Sequence, residues 1–512
     1  MKKLEGKRIL IFQQRGWALR IGHYLARRFR EEGAIIGALT FKKSTDKFVR
    51  EQQEVVYEYL QSHDDIMENP EKYLNDDEIT LHEICEDYGI DSIWPLVQSL
   101  RNHVKSYQDK YYYGFKQNVS DEKIICYLQA AHKMCKKIFE EFSPDVIIAP
   151  NFVAYPHIAL NLYARKRGVR MIGVTDSKVF GMSIFTESYL DDQGAFIDRV
   201  IDLNKGIAHS QNELKSMEYI EENRKRLSQL DVNRLFEEKT DIWNLKNRFR
   251  SILHGSKNVL RLVRNILRTI NRTNYVSGLG NTIDAKNVKM VWRDYWVPKK
   301  HTRDAKIFPY ENLDKIENYA FMTLQFQPES SIDVISSRFN NQIETARQIA
   351  MSLPDDMTLV VKDHPAMLGY RSGSYLEKIA RTPNVKLVDY RISTQDILKR
   401  CKIVVAATGT VFFEAAVMRV PCVQLGDLGT IRLLPNVYHY ADLSTLSGKI
   451  KEIITANIDV EVHDQKLKNY VMGAYDVGFD LNWMGIWDRG EDGDLEPIYV
   501  CFQNYICDLF QN

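Results

Sequence analysis

Lys402–Gly426 reads KIVVAATGTVFFEAAVMRVPCVQLG, and the order of its parts decides the fold. Lys402–Ala407 is an unbroken apolar run after its first residue, as a strand buried on both faces should be. Thr408-Gly409-Thr410 makes a tight turn, Val411–Arg419 has helical character, and Pro421 opens a second strand-like run to Gly426. A parallel neighbour can be reached only through a crossover, and the helix supplies it. Upstream the alternation repeats. Strands are expected at Tyr319–Phe326, Met357–Lys362 and Val385–Tyr390, with helices at Asp333–Ala350, Tyr375–Arg381 and Thr394–Arg400. The second half of the chain is therefore an α/β domain on a parallel sheet, and ligands of such sheets bind beyond the carboxyl ends of the strands.

Three polar clusters fall at that edge. In Gln325–Ser331 (QFQPESS), Gln327 and Glu329 suit hydrogen bonds to a base or ribose, while Ser330 and Ser331 suit the cap of the next helix. In Lys362-Asp363-His364-Pro365 a strand ends on a cation and an imidazole, either of which can neutralise a phosphate oxygen, and Pro365 fixes the turn. In the third, Gly409 permits close backbone approach, Thr408 and Thr410 offer hydroxyls, and Glu414 follows one helical turn later, where a carboxylate can hold ribose. Each cluster alone has a plain structural reading: a capped helix, a Pro-ended turn, a solvated Glu. Their coincidence at one sheet edge favours a ligand.

The first half opens with a strand at Arg8–Gln13, a helical pattern to Glu32 and a second strand at Ala34–Thr40, again a parallel start. Residues 44–141 read as a charged helical insertion with little sheet. Asp145–Pro150 and Val169–Val174 resume the strands. The expected organisation is a Rossmann-like domain over 1–210, a helical segment over 211–300, a second Rossmann-like domain over 301–460 and a helical tail over 461–512.

The strings QFQPESS, VVKDHP and ATGTVFFEAAVMRVPCV resemble the C-terminal domain of bacterial capsule and surface-polysaccharide glycosyltransferases. The His-Pro pair is also similar to that of bacterial sialyltransferases and the capsule β-Kdo transferases, which use CMP-sugars. The Thr-Gly-Thr turn with its Glu is shared with non-hydrolysing UDP-N-acetylglucosamine 2-epimerases. The resemblance implies the GT-B fold, two Rossmann-like domains facing a cleft. It implies a nucleotide-sugar donor such as CMP-Kdo on the second domain, cradled by Lys362, His364, Thr408, Gly409, Thr410 and Glu414. A glycan or lipid-linked glycan acceptor would lie on the first. Catalytic groups would then come from the first domain: Arg15, Asn151 and Asp176 at strand ends, and Glu187 further on. Asp176 is placed to act as a base or a nucleophile, its plain alternative being a turn cap. The first domain lacks an acidic pair followed by Gly, the companion of His-Pro in sialyltransferases, which leaves Kdo-like and other donors. The rival readings are an epimerase acting on the nucleotide sugar alone and a non-catalytic sugar or lipid-carrier binding protein.

Composition narrows the setting. A net charge of +1 argues against a bulk polyanion binder, and no nucleic-acid motif is present. Seven scattered cysteines without a Cys-x-x-Cys pair argue against a disulfide framework or zinc site and fit a reducing cytoplasm. Neither a secretory signal nor an apolar run long enough to span a bilayer is expected. Dispersed histidines and the lack of an Asp-x-Asp motif predict no metal and no cofactor beyond the donor. Residues 244–274 carry basic residues and no acid, and from Lys257 to Arg272 they recur at four- and three-residue steps with an apolar opposite face, a basic amphipathic helix suited to the inner-membrane surface.

Overall fold

The computed structural model describes residues 3–75, 78–100, 120–229, 263, 264, 267, 288–481, 485–489 and 493–511. Two six-stranded sheets dominate it. The first contains β1 (Arg8–Gln14), β2 (Ile35–Phe41), β3 (Tyr59–Ser62), β4 (Val146–Ile148), β5 (Arg170–Asp176) and β6 (Ser183–Thr186), in the spatial order β3-β2-β1-β4-β5-β6. The second contains β7 (Tyr319–Thr323), β8 (Thr358–Lys362), β9 (Val385–Val388), β10 (Ile403–Ala406), β11 (Cys422–Gln424) and β12 (Val437–His439), in the order β12-β11-β10-β7-β8-β9. Both are the doubly wound order, with a reversal between β1 and β4 in one and between β7 and β10 in the other. All pairings are parallel except β5 with β6. Two Rossmann-like domains facing a cleft is the GT-B architecture.

The strands form because their side chains are apolar on both faces. All four residues of β10 are fully buried, as are Ile9, Leu10, Ile11 and Phe12 of β1. Helices cover each sheet on both sides, which is the condition for a parallel sheet.

One expectation needs correction and one gains a detail. The stretch 44–141 holds little sheet, as expected, and that little is β3, which pairs with β2 as an edge strand. Four residues followed at once by His63 and Asp64 leave no periodicity to read. The helix expected at Asp333–Ala350 is broken into a turn at Ser331–Ile335, a second at Ser337–Phe339 and a helix at Gln342–Met351. Polar side chains compete with the helical backbone here. Asp333 accepts from the Glu329 N–H at 3.3 Å, and Asn341 caps the later helix by accepting from the Glu344 N–H at 3.3 Å.

The last helices return to the first domain. Val460–Val477 packs on the helix Ala195–Lys205, and the Tyr470 hydroxyl donates to the Ser177 carbonyl at 2.7 Å. Glu496–Leu509 packs on the helix His23–Glu31, where Arg28 pairs with Glu496 at 2.8 Å. The basic helix expected over 244–274 lies outside the described residues, apart from the exposed helical positions 263, 264 and 267. Among the described residues no helix is long and apolar enough to cross a membrane.

Candidate functional site

Where the carboxyl edges of the two sheets meet there is a cavity of about 460 Å³. Its second-domain wall is built around the switch point between β7 and β10. Gln325, just past β7, donates to the Thr408 carbonyl at 2.7 Å and to Thr323 Oγ1 at 2.9 Å, tying the two strand ends together. Gly409 sits at φ +125°, and a Cβ there would lie 3.0 Å from the Gln325 side chain. The turn thus requires glycine for its backbone and for its closeness to Gln325. Thr408 Oγ1 is buried without a hydrogen-bond partner among the described residues. Thr408, Gly409, Thr410 and Glu414 all line the cavity.

The β8 end supplies a cation and a hydrogen-bond donor. Lys362 is buried, and its ammonium donates to Ile392 O at 3.1 Å and Thr394 Oγ1 at 2.9 Å, leaving one of three donors for a ligand. Burial pulls its pKa down to about 8, against the attraction of Glu414 and Asp363. Burial also pushes the Glu414 carboxyl upward, opposed by Lys362 and Arg226, while Gln395 donates to Glu414 Oε2 at 3.3 Å. His364 accepts the Ala366 N–H on Nδ1 at 3.1 Å. In the neutral ring that bond assigns the proton to Nε2, which makes His364, a cavity-lining residue, a donor through that nitrogen. Burial lowers the His364 pKa, so the neutral donor is its form at neutral pH. The buried pair of Asp363 and Arg371 braces this strand end, since Asp363 Oδ1 accepts the backbone N–H of His364 at 2.7 Å and Arg371 donates to Gln325 O at 2.6 Å.

Of the other donor-side residues expected from sequence, Glu329, Ser330 and Pro365 line the cavity, and Ser331 joins them. Ser331 donates to Glu329 Oε2 at 2.8 Å, and no serine side chain caps the Ser331–Ile335 turn. Gln327 is a correction. Its amide turns inward, donating to Asp333 at 2.9 Å and Asn340 O at 3.0 Å and accepting from Gln342 at 2.8 Å. The glutamine at the switch point is Gln325, two residues earlier. Sequence reading passed it over because the strand was expected to run on to Phe326, which would make Gln325 an ordinary strand residue.

The first-domain wall comes from the end of β5. Asp176 lines the cavity with its carboxylate largely exposed, held by the Lys178 N–H at 3.0 Å and the Lys178 ammonium at 3.2 Å. Beside it lies Asp191, which was not among the residues expected from sequence. The chain after β6 loops back so that Asp191, at φ +54°, accepts from Thr175 Oγ1 at 2.8 Å. Burial pushes its carboxyl up to about 6. No local pattern marks it, because its place depends on a loop closing over a strand end.

Glu187 is the second correction. It is buried away from the cavity, paired with Arg170 at 2.5 Å and accepting from the Tyr505 hydroxyl at 2.8 Å. It fastens the last helix to the first domain. Asn151 follows β4 and is half-buried, with Oδ1 unpartnered among the described residues, and it is not part of the cavity wall. Arg15 follows β1 directly, and its side chain lies outside the described residues. Among the described residues no three His, Cys, Asp or Glu side chains converge as metal ligands would.

The domains touch beside the two aspartates. The Gly429 N–H donates to the Leu190 carbonyl at 2.7 Å, and a Cβ on Gly429 would lie 2.4 Å from Asp192 Cα. Only a glycine lets the second domain seat on the loop that carries Asp191.

Residues 279–428 match the family model described as "Capsule polysaccharide biosynthesis protein". The match spans every donor-side residue named above, so this half of the site carries the sequence pattern of that family. No curated protein matches the sequence. Among solved structures, a beta Kdo 2,7 transferase (KpsC) of Thermosulfurimonas dismutans is 12% identical, with 73% of this chain and 89% of that one covered at a TM-score of 0.30. The UDP-GlcNAc 2-epimerase of Methanocaldococcus jannaschii is 12% identical, with 92% and 98% covered at 0.25. The N-terminal domain of Candida albicans trehalose-6-phosphate phosphatase is 10% identical, with 100% and 99% covered at 0.29. Scores this low carry nothing about activity, and the fold rests on the strand orders above.

Proposed function

We propose that this chain is a glycosyltransferase of surface-polysaccharide synthesis, taking a sugar from a nucleotide donor in the second domain to a glycan acceptor presented by the first. The carrying observation is the cavity itself. A phosphate-suited wall of Lys362, His364 and the Thr408–Thr410 turn faces two carboxylates, Asp176 and Asp191, across a closed interdomain contact. The capsule-family match over that wall supports the same reading.

In this mechanism Glu414 holds the ribose hydroxyls. Lys362 offsets the charge that grows on the phosphate leaving with the nucleotide, and His364 Nε2–H donates a hydrogen bond to it. Asp191 takes the proton from the acceptor hydroxyl, a role suited to a carboxyl with its pKa pushed up to about 6. Asp176, steadied by Lys178, lies beside it as the second carboxylate, available to stabilise the sugar cation or to attack it. The donor we favour is a CMP-sugar such as CMP-Kdo, on the resemblance of the His-Pro strand end. The cytoplasm is the compartment that supplies such donors.

The test is sugar transfer from a panel of CMP-, UDP- and GDP-sugars to capsule oligosaccharide acceptors. Asp191→Asn should lower turnover by about 10²–10⁴-fold while nucleotide affinity holds within a factor of two. Wild-type turnover should rise with pH through about 6, as Asp191 ionises to its active form. Undiminished turnover in Asp191→Asn would remove Asp191 from the mechanism. Interconversion of a nucleotide sugar without any acceptor would replace transfer by epimerisation.

A further inference from the structure

The helix Val288–Ile307 enters the second domain just before β7 and presents an unusual outer face. Its inner side buries Val291, His301 and Ala305. On the opposite side Trp292, Trp296 and Ile307 are 53%, 48% and 69% exposed. The two indoles pack on each other, with centroids 5.8 Å apart, and Tyr295 meets Trp296 edge-on at 5.1 Å. Lys289, Lys299, Lys300, Arg303 and Lys306 are exposed as well. At 3.6 residues per turn these exposed side chains fall within roughly 120° of arc.

That arc holds no carboxylate. Asp294 pairs with Arg293 at 3.1 Å, and Asp304 is turned to the domain, where a Cβ on Gly373 would meet its Cβ at 3.2 Å. The Lys299 ammonium lies 3.7 Å from the Tyr295 ring and 5.3 Å from the Trp296 ring. Apolar rings and cations are therefore interleaved in one stripe.

We propose that this stripe docks on a bilayer surface containing anionic lipid. Indoles favour the headgroup level, where the ring is shielded and the N–H stays wet, and lysines there meet lipid phosphates. The lack of any acid on the face makes the charge complementarity one-sided. Docking here would keep the donor cavity near the membrane. His301 meets Tyr370 O at 3.2 Å, Tyr370 packs against Phe326 at 6.0 Å, and Phe326, a cavity wall residue, packs against His364 at 6.1 Å. The inference does not depend on which sugar is transferred, or on whether transfer occurs at all.

The test uses the full chain and vesicles of phosphatidylcholine with or without phosphatidylglycerol, read by co-sedimentation and by quenching of tryptophan fluorescence with bromine-labelled lipid. The wild type should bind the anionic vesicles, with quenching, and bind weakly to neutral ones. Trp292→Ala with Trp296→Ala should lose most of the quenching and at least tenfold in affinity. Lys299→Glu, Lys300→Glu and Arg303→Glu should each cost roughly fivefold or more. Circular dichroism and nucleotide binding should be unchanged in all of them, since every replaced side chain faces outward. Failure of the wild type to bind anionic vesicles would overturn the proposal. So would wild-type binding and quenching by the double tryptophan variant.

Discussion

Lys362 and His364 leave the same strand end two residues apart, and the protein fixes their charges differently. His364 is a neutral donor because Nδ1 is engaged by the Ala366 N–H and burial disfavours the imidazolium. Lys362 is a cation at neutral pH, but burial has brought its pKa down to about 8. Above about pH 8 the free site loses the ammonium that meets the phosphate, so nucleotide affinity should fall as pH rises, by about tenfold between pH 7 and 9. Titration calorimetry across that range checks it. Lys362→Met should bind more weakly at pH 7 and lose most of the dependence. An equally steep fall in that variant would place the titrating group elsewhere. Sequence could show that a cation and an imidazole end this strand. It could not show the tautomer, which the turn at Pro365 sets by bringing the Ala366 N–H to Nδ1, or the lowered pKa, which burial among distant parts of the chain sets.

At the scale of elements, the switch point is a clamp. Gln325 ties β7 to the turn after β10, and the Asp363–Arg371 pair holds the β8 end against the same glutamine. Gly409→Ala forces a Cβ onto a backbone at φ +125° and to 3.0 Å from Gln325. We expect a loss of about 1–3 kcal/mol in stability and a nucleotide affinity down at least tenfold, measured by chemical denaturation and calorimetry. Unchanged affinity would mean that the turn does not touch the donor. The Thr-Gly-Thr turn and its Glu were legible because strand, turn and helix are adjacent in sequence. Gln325 was not, since its importance comes from Thr408, far along the chain. Gln327, one of the expected contacts, was taken by Asp333, Asn340 and Gln342 once the helix after β7 broke.

The whole molecule works as two sheets facing each other, with the last helices returning to the first. Strand–helix alternation marked both sheets as parallel and so the fold class was readable, while the strand orders came only with the structure. β3 and the hairpin of β5 with β6 were not, because β3 and β6 are only four residues each and show themselves as strands only once paired. Asp191 belongs to the same class. It reaches the cavity only because the loop after β6 folds back and Gly429 lets the domains touch. Gly429→Ala therefore separates binding from chemistry. Nucleotide affinity should stay within about twofold, because the donor wall is untouched, while turnover should drop at least tenfold, because the loop carrying Asp191 no longer seats. Steady-state kinetics beside calorimetry gives both numbers, and a variant with full turnover would show that the Leu190–Gly429 contact plays no part in the working state.

The central claim is that the second-domain wall holds a nucleotide, and titration calorimetry of the full chain with CMP, UDP and GDP tests it most directly. One of them should bind at a single site, and both His364→Ala and Glu414→Ala should weaken that binding at least tenfold without loss of fold. Absence of binding by all three, or binding that both variants leave unchanged, would contradict the account.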